Sequence, residues 1–213
     1  MQRYNILIGC DQKYYDDWGV HLLKSIYDRN KWLEHCLHCH IVNPTKFDPL
    51  PYVNYTTEYR NFESQESKIS YLQAVRFLKV AEKIDSNNLF LTLDADTICT
   101  RSFIEKDFSM LFDQINVLLH RKSKHWLAGF ITFNSVDFAQ NYSKILLELP
   151  INEWRYGRDQ VILANLSKQY EFNSIGPDWM YYGKNTKGSV FYTLKGTQKI
   201  KNNYLDVYKR YIV

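Results

Sequence analysis

The chain has 213 residues, of which 45% are hydrophobic and 23% are charged, with 8 Gly and 5 Pro. This globular composition is sufficient for one buried core, and it excludes collagen-like, low-complexity and intrinsically disordered proteins. The net charge is +4, from 27 Lys and Arg against 23 Asp and Glu, which is too small to indicate nucleic-acid binding by itself.

Predicted strands and helices alternate along the chain. Apolar runs predict strands at Tyr4–Cys10, Leu37–Val42, Asn88–Leu93, Asn116–His120, Leu127–Phe133 and Val190–Leu194. Helical spacing of apolar residues predicts helices at Trp18–Tyr27, Ser67–Ile84, Val136–Leu147, Asp159–Leu166 and, with a basic composition, Gln198–Tyr211. This alternation predicts a single α/β domain with a mostly parallel sheet, in which ligands bind beyond the carboxyl ends of the strands.

The strongest local signal follows the third predicted strand. Asn88–Leu93 is mostly apolar and is followed by two aspartates, Asp94 and Asp96. On an extended backbone, residues i and i+2 point to the same side, and two such carboxylates repel each other unless a cation lies between them. The pair therefore predicts a site for a hard divalent cation, Mn²⁺ or Mg²⁺, that also binds substrate phosphates. The alternative is a pair of acids that only caps a loop.

Other polar residues stand where predicted elements meet. Asp11 and Tyr14 follow the first strand, where a carboxylate and an aromatic face would suit a base or ribose; an ordinary turn is the alternative. Arg76 lies on the long predicted helix and is a candidate site residue; the alternative is an ordinary surface residue. Asp159 and Gln160 begin a helix, where a carboxylate also fits N-terminal capping.

The charge is unevenly distributed. Residues 181–213 contain seven Lys or Arg and one acid, so this segment carries +6 and the first 180 residues carry −2. Lys195 and Lys199 flank Gly196 before the predicted basic helix, and lysines beside backbone amides would suit a diphosphate. The alternative is a solvated basic helix.

Several other classes of site and location are disfavoured. The sequence has no Gly-x-Ser-x-Gly elbow, no Walker loop and no Gly-x-Gly-x-x-Gly after the first strand. Cys36 and Cys39 have C-x₂-C spacing, but a tetrahedral zinc site would need a second pair elsewhere. No apolar run approaches the roughly 20 residues that span a bilayer, and no signal-peptide pattern is seen. We therefore expect a cytoplasmic protein with reduced cysteines and no membrane span.

Taken in order, these segments resemble the GT-A-fold glycosyltransferases, most nearly glycosyltransferase family 8. The resemblance covers most of the chain and rests on the segments Ile6–Tyr14, Leu23–Ile26, Ile69–Phe77, Leu91–Asp96, Ala128–Asn134, Asp159–Gln160 and Thr193–Lys199. The size and the Tyr-, Lys- and Asn-rich composition also resemble a virus-encoded GT-A domain that is the first module of a longer glycan-building protein. The family has a histidine metal ligand where this chain has Thr193.

The resemblance implies a nucleotide-binding half over about residues 1–100 and an acceptor and sugar half over about 101–213. It implies that Asp11 and Tyr14 hold the uridine base, that Arg76 contacts the donor sugar or phosphates, and that Lys199 binds the diphosphate. Asp94 would meet ribose and metal, and Asp96 would ligate the metal. Asp159 and Gln160 would face the donor sugar near its anomeric carbon.

The sequence therefore predicts a metal-dependent transferase that moves a hexose from a UDP-sugar to a glycan or other hydroxyl acceptor, with retention at the anomeric carbon and no nucleic-acid partner. A related nucleotidyltransferase is one alternative, although it would be expected to carry a Gly-rich loop after the first strand. A non-catalytic nucleotide-sugar-binding module is another, kept open by Thr193. Nucleic-acid binding through the basic segment is the third.

Overall fold

A computed structural model of the protein describes residues 3–83, 88–120, 125–150, 153, 157–182 and 188–193. In these ranges the strands are β1 (Arg3–Asp11), β2 (Leu37–Val42), β3 (Val53–Glu58), β4 (Asn88–Leu93), β5 (Ile98–Cys99), β6 (Ile115–Leu119), β7 (Trp126–Phe133), β8 (Phe172–Ser174), β9 (Met180–Tyr182) and β10 (Phe191–Thr193). The α-helices are α1 (Gln12–Tyr14), α2 (Val20–Arg29), α3 (Gln65–Lys83), α4 (Glu105–Ser109), α5 (Val136–Glu148) and α6 (Arg158–Leu166). A π-helical segment, Tyr15–Gly19, joins α1 to α2.

The main sheet has seven strands in the order β3-β2-β1-β4-β7-β6-β8. Strands β1 to β4 are mutually parallel, and β8 is parallel to β6. Strand β7 runs antiparallel to both of its neighbours, β4 and β6. A smaller sheet has the order β5-β10-β9. The predicted α/β class with a mostly parallel central sheet is confirmed.

Strand β1 lies at the point where the order in which the chain adds strands to the sheet reverses. From β1 the chain runs outward through β2 to β3, and then crosses through α3 to β4 on the other side of β1. At such a switch point the connections after the two central strands diverge, which leaves a crevice at their carboxyl ends. The fold therefore directs attention to the residues that follow β1 and β4.

The strands predicted at Leu37–Val42 and Asn88–Leu93 have these bounds in the structure, and the long helix is α3. The sequence pattern did not predict β3, whose residues Val-Asn-Tyr-Thr-Thr-Glu are mostly polar. They are not fully buried because β3 is an outer strand of the sheet. The predicted helix Gln198–Tyr211 lies outside the described residues.

Both faces of the main sheet are covered by helices. On one face α3, α5 and α6 pack against the strands, and the ring centroids of Phe77 and Tyr142 lie 4.1 Å apart between α3 and α5. On the other face α2 contributes Leu22, Leu23 and Ile26 to the core. Among the described residues, the ten largest fully buried side chains are all tyrosines or phenylalanines. Much of the aromatic content therefore fills the core.

Strand β1 and helix α3 approach each other closely at Gly9. A methyl group here would lie 2.6 Å from Val75 Cγ1 and 3.1 Å from Arg76 N. Because one of these atoms is helix backbone, α3 itself would have to move. We expect Gly9→Ala to lower the free energy of unfolding by about 1–3 kcal/mol, measured by urea denaturation. Gly176→Ala is the control, since a methyl group there would have no heavy atom within 4 Å; equal stability of the two variants would contradict this close packing.

Candidate active site

A cavity of about 570 Å³ opens at the carboxyl ends of β1 and β4. Its walls come from the carboxyl end of β1 and from α1, from the turn after β4, and from one face of α3. The ends of β6 and β10, strand β7 and the start of α6 complete them. Seven of the eight predicted site residues line it: Asp11, Tyr14, Arg76, Asp94, Asp96, Asp159 and Gln160. The eighth, Lys199, lies outside the described residues, as does Lys195. The structure thus brings together residues that are up to 149 positions apart in the sequence, from Asp11 to Gln160.

Asp94 is held by an arginine that is itself buried. Arg76 is 2% exposed, and its Nη1 lies 2.7 Å from Asp94 Oδ1. Its Nη2 donates to the backbone oxygen of Ala128 at 2.7 Å. Arg76 therefore joins α3 to β4 and β7 and fixes the orientation of the Asp94 carboxylate, and the alternative of a surface arginine is wrong.

Asp94 and Asp96 face one cavity for a different reason from the one that the sequence suggested. They are not part of an extended strand; the Thr97 amide donates to the Asp94 carbonyl at 3.0 Å, which closes a turn after β4. Both residues still line the cavity, and Asp96 is 2% exposed. The turn, rather than the alternation of an extended strand, places the two carboxylates together.

Tyr14 connects the ends of β1 and β4. Asp11 caps α1 because its Oδ1 accepts the Tyr14 backbone amide at 2.9 Å. The Tyr14 hydroxyl donates to Asp96 Oδ2 at 2.7 Å. Tyr14 therefore joins Asp11, predicted to meet a base, to Asp96, predicted to hold a metal, by direct hydrogen bonds.

Lys68 was not among the predicted site residues. It lines the cavity, and its Nζ lies 2.7 Å from Asp11 Oδ2. Its spacing from Leu72 and Arg76 is four and eight residues, so all three lie along one helix face. That spacing was the available signal, but an amphipathic helix pattern does not tell which of its polar residues face a cavity.

Asp159 and Gln160 reach the cavity from the start of α6. Gly157, which precedes the helix, has a φ of 80°, a conformation that favours glycine. Asp159 is 6% exposed, and its Oδ1 accepts the amide of Gln160 at 2.9 Å. Behind it, burial raises the pKa of the Tyr142 phenol well above its usual range, with a further rise from the charge of Asp159 and an opposing effect of Arg76. Tyr142 therefore stays neutral beneath these charged groups.

Comparisons with known proteins support the fold. No protein-family model and no curated protein matches the sequence. Among solved structures, the chain is similar to the galactosyltransferase LgtC, crystallised in complex with donor and acceptor sugar analogues. The similarity has a TM-score of 0.65 at 12% identity and covers 98% of this chain and 95% of that chain. The fold is GT-A. At this level of identity, the likeness establishes the architecture and not the reaction.

Within the GT-A fold, the donor set of the cavity suits a hard divalent cation. Asp94 and Asp96 offer carboxylate oxygens, which Mg²⁺ and Mn²⁺ prefer. Gly129 has no side chain to crowd Asp94; a methyl group there would lie 2.9 Å from Asp94 Oδ2. The described residues contain no group of three or more His, Cys, Asp or Glu that could hold a metal. Two carboxylates therefore fit an ion whose remaining positions are filled by water and substrate phosphates.

Thr193, the last residue of β10, also lines the cavity. It is fully buried, and its Oγ1 donates to the backbone oxygen of Asp96 at 3.3 Å. It thus supports the turn that carries Asp96. All four cysteines are free thiols, including Cys36 and Cys39, whose spacing prompted the zinc alternative.

Gly129→Ala should weaken metal binding more than it weakens the fold. The added methyl group would displace the Asp94 carboxylate, and disturbing the support of a metal ligand typically costs about 10–100-fold in metal affinity. We expect this loss in Mn²⁺ titrations that follow free Mn²⁺ by electron paramagnetic resonance. Gly176→Ala serves again as the control, and unchanged Mn²⁺ affinity in Gly129→Ala would contradict the prediction that Asp94 is a ligand.

No helix in the described ranges combines the length and hydrophobicity that crossing a membrane requires.

Proposed function

We propose that this protein is a metal-dependent glycosyltransferase that moves a hexose from a UDP-sugar to a hydroxyl group of a glycan or similar acceptor. The observation that carries the proposal is the cavity at the β1–β4 switch point, where Asp94 and Asp96 lie beside the bridge from Asp11 through Tyr14. The GT-A fold that it shares with the galactosyltransferase LgtC supports the same reaction class.

In this proposal the residues at the β1 end bind the nucleoside. Tyr14 is 36% exposed and lines the cavity, so its ring offers a face on which a base can stack. Asp11 holds α1 in place and carries the ion pair with Lys68. Lys68 Nζ has three donor hydrogens, so it can meet a ligand anion while it keeps its bond to Asp11.

The residues at the β4 end bind the diphosphate region. Asp94 and Asp96 would hold Mn²⁺ or Mg²⁺, which when bound neutralises charge on the departing diphosphate. Arg76 fixes Asp94 by its ion pair, and Thr193 supports the turn that carries Asp96. Lys199 is proposed as a further phosphate ligand only because the segment Thr193–Lys199 resembles a segment of glycosyltransferase family 8.

The sugar would lie toward β7 and α6. Asp159 and Gln160 face this part of the cavity, where they would orient the hexose at its anomeric carbon. In the transfer, the bond from that carbon to the diphosphate oxygen breaks and UDP departs with the electron pair. A bond from the carbon to the acceptor oxygen forms, and the proton of the acceptor hydroxyl passes to the departing diphosphate or to water. Retention of the anomeric configuration is part of this proposal.

The proposal is tested by measuring, for a panel of UDP-sugars, the shift in melting temperature of the protein and the rate of hydrolysis of each sugar. A ligand that binds the native state raises the melting temperature, so one or more UDP-sugars should do so in the presence of Mn²⁺. The same sugars should be hydrolysed with release of UDP, and removal of Mn²⁺ by a chelator should stop the reaction. If the protein instead releases pyrophosphate from a nucleoside triphosphate and a sugar phosphate, that result would support the nucleotidyltransferase alternative.

A second candidate is a module that binds a nucleotide-sugar without turnover. It is favoured by the donor set, because the described residues contain no group of three or more His, Cys, Asp or Glu that could hold a metal. The resemblance also places Thr193 where the family has a histidine metal ligand. A thermal shift with UDP-sugar, but no UDP release and no glycan product at any Mn²⁺ concentration, would support this candidate and contradict the transferase.

A further inference from the structure

Tyr14 has two anchors that belong to different parts of the cavity. Its backbone amide donates to Asp11 Oδ1 at 2.9 Å, at the carboxyl end of β1. Its hydroxyl donates to Asp96 Oδ2 at 2.7 Å, in the turn after β4. Tyr14 and Asp96 are 82 positions apart in the sequence, so this link exists only in the folded chain.

The two anchors restrict two groups that have different functions in the proposed reaction: the ring of Tyr14, which would stack on the base, and the carboxylate of Asp96, which would bind the cation. The ring of Tyr14 is 36% exposed at the cavity wall and offers the stacking face. Asp96, which accepts the hydrogen bond from the Tyr14 hydroxyl, is only 2% exposed and is a candidate cation ligand. A carboxylate has two oxygens and about four lone pairs, so a hydrogen bond to one oxygen does not prevent a carboxylate from also binding a cation.

We propose that Tyr14 is a positioning residue through which nucleoside binding and divalent-cation binding strengthen each other; this inference rests on the proposed function of the cavity. A base stacked on the ring fixes the side chain of Tyr14 in the orientation seen here. The hydroxyl then holds the Asp96 carboxylate in one orientation before the cation arrives. The cation consequently binds with a smaller loss of side-chain conformational entropy.

The coupling has a definite signature because binding linkage is reciprocal. If a nucleoside raises the affinity for the cation by some factor, the cation must raise the affinity for the nucleoside by the same factor. Uridine is the appropriate probe because it lacks phosphates and cannot contact the cation through them. Any coupling between uridine and Mn²⁺ must therefore pass through the protein.

The experiment measures free Mn²⁺ by electron paramagnetic resonance in titrations of the full chain, with and without saturating uridine. Tyr14→Phe keeps the ring and removes the hydroxyl. Tyr15→Phe is the matched control, since the adjacent hydroxyl contacts Tyr55 at 2.7 Å and Tyr15 is not among the residues lining the cavity. Titration with UDP in place of uridine shows whether each variant still has a working site, since the diphosphate contacts the cation directly.

In the wild type and in Tyr15→Phe, uridine should tighten Mn²⁺ binding by about fivefold or more, the lower end of typical coupling between sites. In Tyr14→Phe the ratio should fall to about one, while UDP still tightens Mn²⁺ binding. A wild-type ratio of one or less, or an unchanged ratio in Tyr14→Phe, overturns the inference. If the wild type fails to bind Mn²⁺ even with UDP, the proposed function itself fails, and the inference fails with it.

Discussion

Replacing Asp96 by asparagine should reduce Mn²⁺-dependent hydrolysis of the donor by about 100-fold or more, since losing a group that stabilises developing charge typically costs this much. Asparagine keeps the size of the side chain and an oxygen that can accept from the Tyr14 hydroxyl. It removes the negative charge that the cation requires. The measurement is the initial rate of UDP release over a range of Mn²⁺ concentrations, with Mn²⁺ affinity measured alongside.

Asp113→Asn is the matched control for this variant. Asp113 is exposed and is not among the residues that line the cavity, so the same chemical change there should leave the rate and the Mn²⁺ affinity unaltered. If Asp96→Asn hydrolyses the donor at the wild-type rate, Asp96 does not hold the cation. If both variants and the wild type show only metal-independent turnover, the proposed metal dependence is wrong.

Replacing Arg76 by methionine should lower the free energy of unfolding by about 3–5 kcal/mol, the usual cost of breaking a buried ion pair from one side. Arg76 is 2% exposed, and its loss leaves Asp94 without its countercharge and the Ala128 carbonyl without this donor. Urea denaturation followed by far-UV circular dichroism measures the change. The effect should be smaller in Arg76→Met combined with Asp94→Asn, because the uncompensated charge is then absent.

Arg76→Lys separates the charge of Arg76 from its geometry. Lysine keeps the positive charge but has no planar fork with which to reach Asp94 and Ala128 at once. We therefore expect it to restore only part of the stability lost in Arg76→Met. Arg3→Met, at the exposed start of β1, is the control and should stay within about 0.5 kcal/mol of the wild type. Full stability of Arg76→Met would show that the pair with Asp94 contributes little to the fold.

Local patterns in the sequence were sufficient for most of the strands and helices that build the fold. Apolar runs such as Asn88–Leu93 are buried on both faces of the sheet, so their hydrophobicity is continuous and easily recognised. Strand β3, at one edge of the main sheet, was not predicted because its residues are mostly polar and not fully buried. The antiparallel pairing of β7 with β4 and β6 likewise leaves no local signature, since pairing direction depends on how distant segments meet.

The candidate site was predictable where its residues form a compact motif in the sequence. Asp94 and Asp96 stand out because two acids directly after an apolar strand conflict with burial, and Asp159 stands out at a helix start. The structure places all three at one cavity. The role of each in the reaction remains a prediction.

By itself, the sequence determined the α/β class, the order of its main elements and the position of the paired carboxylates, because these depend on residues that are neighbours in the chain. Only the tertiary structure decided that Arg76 is buried against Asp94, that Lys68 pairs with Asp11, and that the Tyr14 hydroxyl reaches Asp96. These contacts join residues 18, 57 and 82 positions apart. Their formation depends on how β1, α3 and β4 pack together, which no single segment encodes.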